Sequence, residues 1–260
     1  TSAGAYVTSW GSFGSATGQF GSTPYPKGPL SLGIDVSGNV LSVDTHNHRI
    51  QVFTSVGAFI TAFGSFGTGN TQFAYPNAVA VDTSANVFVG DGQNYRIIKY
   101  TNSGTTYTYS ALIGGAQGSG DYDFDYIYDV KIDQANNVIV CDASYLSGTR
   151  PIRKYANSNL AFMTAIAGEG AATGSVLGVN YAAVDAAGNV YVSEFQIGRM
   201  QRFTSAYAFA TSWRAEVSAC DITATRDMYD LPSDWKAPYS VRLLSSNTPL
   251  RYIQRRPRDR

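Results

Sequence analysis

The run Asp121-Tyr122-Asp123-Phe124-Asp125 sets three carboxylates on alternate residues, separated by aromatic rings. In a looped chain a D-x-D-x-D run converges its oxygens on one point, which is the chemistry calcium requires. An EF-hand loop also needs glycine at its sixth place and glutamate at its twelfth, and here those places hold Tyr126 and Ile132. Asp121, Asp123 and Asp125 therefore read in two ways, as a calcium site of another geometry or as a solvated acidic loop. Calcium is the only cofactor the residues suggest, and no catalytic residue is assigned.

A second acid set repeats along the chain. Asp44, Asp91, Asp142 and Glu194 hold one equivalent place, and Arg49, Arg96 and Arg199 follow five residues after three of them. After Asp142 the arginine's place passes to Pro151, with Arg150 and Arg153 beside it. Turned toward a central channel, such acids would ring a metal or polarise a substrate. Paired with the arginines, they would instead tie loops together, as repetition in every copy predicts. His46 and His48 are the only histidines and lie on one short loop. Two ligands from one loop fall short of the three protein ligands a catalytic zinc normally takes. Serine, cysteine and lysine nucleophiles likewise find no base from a second histidine-bearing segment.

These residues sit in a phrase the chain repeats. Residues 34–53 read IDVSGNVLSVDTHNHRIQVF, residues 81–100 read VDTSANVFVGDGQNYRIIKY, and residues 184–203 read VDAAGNVYVSEFQIGRMQRF. A further copy, IDQANNVIVCD at 132–142, reaches its third strand, RPIRKY, after an insertion. Asn39, Asn86, Asn137 and Asn189 fall about 50 residues apart, a propeller-blade period. Each copy alternates apolar residues, turns, and alternates again, as short strands do. Asp35, Asp82, Asp133 and Asp185 stand where a carboxylate bonds the turn amides. Gly38, Asn136 and Gly188 suit a left-handed turn residue; Ala85 does not, so a different turn is expected there. Glycine-rich links then lead on: WGSFGSATGQF, FGSFGTGNTQF and IGGAQGSGDYDF. They run from strand to strand, with no helix to present its amides to phosphate. Four strands and a link make one blade of an all-β propeller.

The run from Asp44 to Phe53, with the lead-in ending Gln19-Phe20, resembles the signature of NHL repeats. The resemblance covers roughly residues 10–213. It implies a propeller of four-stranded NHL-type blades, six by the family norm, where this chain has four clear blades and a divergent C-terminal segment. Propellers of this kind serve as enzymes, RNA-binding modules and extracellular scaffolds alike. Amidating lyases on a similar propeller hold zinc with histidines from several blades. The places equivalent to His46 carry Gln93 and Gln196 here, and those of His48 carry Tyr95 and Gly198.

Charged residues make up 15% of the chain, below the roughly 25% of an average globular protein, and only five are lysines. That argues against a nucleic-acid surface and leans toward an extracellular or cell-surface setting. No apolar run approaches the length of a membrane span. The sequence starts at Thr1 without methionine, which fits a processed form or an excerpt and is compatible with a removed signal. No N-x-S/T sequon occurs, so N-linked glycans are not expected. Cys141 reads as a small buried thiol, with a Cys141–Cys220 bridge as the alternative. Residues 1–213 form the repeat region. Residues 214–260 lack glycine, carry nine basic and six acidic residues, and read as an extra blade, a basic packing arm or a sequence artefact.

Residues 4–10, GAYVTSW, match AYAFATSW at 206–213, an outer strand. They read as an orphan outer strand that either closes its own ring through the tail or completes a blade of a neighbouring subunit. The reading is thus a secreted or surface structural and interaction propeller. Its expected partners are other protein subunits, in a homo-oligomer or polymer such as a filament or matrix. A channel enzyme of the lyase or lactonase type is the alternative, and an RNA-binding module the third.

Overall fold

A computed structural model describes residues 6–21, 28–142, 150–217 and 241–243. The chain divides into two compact units, Thr1–Ser212 and Trp213–Arg260. The first is a β-propeller of four blades. A lead-in pairs β1 (Ser12–Phe13) with β2 (Gln19–Phe20) in parallel. Blade I is β3 (Leu32–Ile34), β4 (Val40–Asp44), β5 (Arg49–Phe53) and β6 (Phe59–Phe63). Blade II is β7 (Pro76–Val81), β8 (Val87–Asp91), β9 (Arg96–Ser103) and β10 (Thr106–Gly114). Blade III is β11 (Ile127–Ile132), β12 (Val138–Asp142), β13 (Ile152–Tyr155) and β14 (Phe162–Ala167). Blade IV is β15 (Val179–Val184), β16 (Val190–Glu194), β17 (Arg199–Phe203) and β18 (Phe209–Val217). Strands neighbour one another in chain order within each sheet. In the second unit, residues 215–217 pair antiparallel with β19 (Val241–Leu243).

The turn between the first two strands of each blade has one chemistry. Asp35, Asp82 and Asp185 each accept a bond from the amide two residues on and another from the asparagine four residues on, at 2.8–2.9 Å. Asp133 accepts the Asn137 amide at 2.8 Å. The residue before the asparagine is left-handed in all four, with φ of 81° at Gly38, 63° at Ala85, 63° at Asn136 and 80° at Gly188. The expectation of a different turn at Ala85 is therefore corrected. Ala85 donates to the Asp82 carbonyl at 3.0 Å as Gly38 does to that of Asp35. The bonds around Asp82 hold alanine in a backbone region that disfavours it.

Period-two alternation gives each blade two apolar faces, and the blades pack face to face. Between blades I and II the core holds Leu41, Val43, Ile50 and Val52 against Val79, Val87, Val89 and Ile98. Between II and III it holds Ala78, Phe88 and Ile97 against Ile127, Val130, Val138 and Val140. Between III and IV it holds Ile139, Cys141 and Ile152 against Val179, Ala182, Val190 and Val192. Cys141 is buried with its thiol free, and burial raises its pKa well above the ordinary value. Cys220 lies outside the described residues. Residues 6–10 form no strand, and Trp10 rests on Phe53 with ring centroids 6.3 Å apart.

Candidate functional site

The repeated acids end the second strand of each blade and turn toward the lead-in loop that crosses it. In blade I, Asp44 accepts the Gly21 amide at 3.0 Å, the Asn47 side chain, Arg49 at 2.9 Å and Gln51 at 3.1 Å. Arg49 also donates to the Ala16 and Gln19 carbonyls of the loop. Blade II repeats the design: Asp91 accepts the Ala74 amide at 2.6 Å and Arg96 at 2.8 Å, while Arg96 reaches the Thr68, Gly69 and Gln72 carbonyls. In blade IV, Glu194 holds the Leu177 amide, Arg199 and Gln201, and Arg199 reaches Ala171 and Ser175. The acids are buried, and burial raises the pKa of Asp91 and Asp142 despite their bonds to the loop amides and arginines.

Blade III reaches the same end from another position. Asp142 accepts the Tyr126 amide at 2.8 Å and the Asp125 amide at 3.1 Å. Its cation is Arg153, fully buried, which stands opposite Val140 in the register that Gln51, Ile98 and Gln201 hold elsewhere. Arg153 donates to the Gly120 and Asp123 carbonyls of its loop and lies 4.5 Å from the Phe124 ring centroid. The acids thus act as loop anchors.

The acidic run forms part of that loop. Asp121 is ion-paired with Arg150, and its carbonyl accepts the Tyr155 hydroxyl at 2.5 Å. The Asp123 carbonyl serves Arg153, and Asp125 is buried with its carboxylate accepting from Gln117. The loop thus brings Asp121 and Asp125 to separate partners. Among the described residues, no three of His, Cys, Asp and Glu are grouped to hold a metal ion.

The histidines join neighbouring elements. The His48 ring accepts the Tyr75 amide on Nδ1 at 3.2 Å and packs on Phe66 and Tyr75 with centroids 4.8 and 4.7 Å away. Burial, helped by the nearby His46, lowers the His48 pKa. A polar hollow of about 340 Å³ lies between the β7–β8 turn of blade II and the β11–β12 and β13–β14 turns of blade III, lined by Asp82, Asn86, Asn136 and Asn157. Asn157 is spent on Asp82 and on Lys99, and Asn136 accepts the Thr83 amide. This side-chain signal was not legible in sequence, because it joins residues 75 positions apart.

No protein-family model matches the chain. Over 75 residues it is 37% identical to Protein brain tumor of Drosophila melanogaster, a stretch that spans 29% of this chain and 7% of that protein. Among solved structures it is similar to virginiamycin B lyase from Staphylococcus aureus, with a TM-score of 0.54 at 12% identity over 76% of this chain and 59% of that one. It is also similar to Kuenenia stuttgartiensis hydrazine synthase, with a TM-score of 0.55 at 10% identity over 79% of this chain and 56% of that one. The chain spans less than two thirds of each of these relatives, and at such identities the likeness establishes a β-propeller fold.

Proposed function

We propose that this chain is an NHL-type propeller acting as a structural and interaction module outside the cell or at its surface. Its partners in this reading are protein subunits, including copies of itself. The observation that carries the reading is the fate of the repeated polar residues. Asp44, Asp91, Asp142 and Glu194, with their cations, are consumed in holding each lead-in loop to its own blade. Among the described residues this leaves the blade surface to act, and apolar side chains exposed on it, Leu32, Ile34, Tyr181 and Met200, suit contact with another protein. The sparse charge and few lysines speak against nucleic acid. Among the described residues no helix is long and apolar enough to cross a membrane.

Cross-linking in the native setting, followed by peptide identification, tests the reading. Cross-links from blade surfaces to protein chains are expected. A particle that cross-links to no protein chain would sink it.

A further inference from the structure

Each interior blade face is covered by the next blade, while among the described residues the inner parts of the two end faces are exposed. On the inner strand, the places of Val79 and Val130, 1% and 0% exposed, are held in blade I by Leu32, 62% exposed. Ile34 beside it is 68% exposed. At the other end, the places of Ala78 and Ile97, both 0% exposed, are held in blade IV by Tyr181 and Met200, 52% and 49% exposed. Blade packing runs β3 to β7, β7 to β11 and β11 to β15, and among the described residues no packing of that extent returns from β15 to β3.

The polar links between blades follow the same register. Asn77 reaches forward to the Ile127 carbonyl of blade III at 3.2 Å. Asn180 holds that place in blade IV, and its Oδ1 is buried without a hydrogen-bond partner. Ser31 accepts the Val79 amide at 3.4 Å and Asp129 the Ala182 amide at 3.0 Å, each serving the inner strand ahead. Tyr181 stands there in blade IV with no following strand described. Ser42 Oγ, on the side of blade I that points away from blade II, and Arg202 Nε, on the side of blade IV that points away from blade III, are also buried without a partner.

We infer that the uncovered face of blade IV, centred on Tyr181 and Met200, docks onto the Leu32 and Ile34 face of blade I in a second copy of this chain. The two faces are opposite halves of an interface the molecule already builds three times, so one chain carries both sides of the joint. A head-to-tail contact of this kind is heterologous, and it closes where the rotation allows. Two copies supply eight blades, within the range of propeller rings. This joint deepens the interaction reading and rests on it. It uses faces and requires no donated strand: residues 6–10 form no strand, and Trp10 rests on Phe53 of its own blade I.

Light scattering on the full chain tests the joint. A concentration-dependent dimer is expected. Leu32→Asp/Ile34→Asp and Tyr181→Asp/Met200→Asp should each weaken it about 100-fold, since a carboxylate would be buried unpaired. Mixing the two variants should restore a dimer, because each retains one intact face; that recovery also shows that both are folded. Truncation of residues 1–9 should leave the dimer intact. A wild-type monomer at high concentration overturns the joint, as does a mixture that fails to associate, or loss of the dimer on truncation. A purified monomer that still cross-links to other proteins in its native setting overturns the joint alone and leaves the interaction reading standing.

Discussion

Blades II and III fasten their lead-in loops to the same acid with cations from different places. Blade II uses Arg96, directly opposite Asp91 on the next strand. Blade III has Pro151 at that register and brings in Arg153 from two residues further along the strand. Both guanidiniums then bond the carbonyls of the loop that crosses the blade. The difference teaches that the fold fixes the acid and the loop, while the cation's address is free within reach of both.

The largest effect should come from emptying the blade III site. Arg153 and Asp142 are both fully buried, so Arg153→Ala strands a carboxylate and should cost about 3–5 kcal/mol by denaturant melts. A cost below about 1 kcal/mol would show that the blade does not depend on its cation.

The comparison sharpens if blade II is rewired. Arg96→Ala should cost about 3 kcal/mol, and adding Ile98→Arg should recover most of it, because Phe73 waits where Phe124 lies beneath Arg153. Failure of the double variant to recover would mean that each address is specific to its blade.

The links between blades give a smaller contrast. Gly64 has φ of 103°, and a Cβ there would collide with Phe73 and stand 3.0 Å from the His48 carbonyl, so Gly64→Ala should cost about 2 kcal/mol or more. A Cβ at Gly168, after blade III, meets nothing within 4 Å, so Gly168→Ala should stay within about 0.5 kcal/mol.

Alkaline pH probes both blades. Burial raises the pKa of Cys141 and Tyr155 in blade III and of Tyr100 in blade II, and pushes Tyr107 up to about 12. The folded protein holds these protons longer than the unfolded chain does, so their contribution is fully present below the ordinary values of 9.0 and 10.0. Melting temperature should therefore fall as pH rises through that range. A flat profile to pH 11 or so would contradict the burial of these groups.

The smallest expected effect concerns calcium. Asp121 is held by Arg150 and Asp125 by Gln117. Millimolar calcium should move the melting temperatures of the wild type and of the Asp121, Asp123 and Asp125 triple-alanine variant equally little. A rise confined to the wild type would make the run a calcium clamp.

The strands, their order and the aspartate turns were legible because they are local. Period-two alternation, a turn acid and an asparagine four residues later all act within one hairpin, and repetition marked them four times. The left-handed Ala85 was not legible, since composition argued against it and only the full set of bonds to Asp82 holds it there. The acid–arginine pairs followed from spacing in blades I, II and IV. In blade III the choice of Arg153 over Arg150 depended on strand register, which the insertion had hidden. The sequence by itself determined the blade, because each blade is built from neighbours in the chain. Tertiary structure decided where the repeated charges are spent and which blade faces, among the described residues, are buried by a neighbour, because both depend on what a distant loop or the next blade brings into contact.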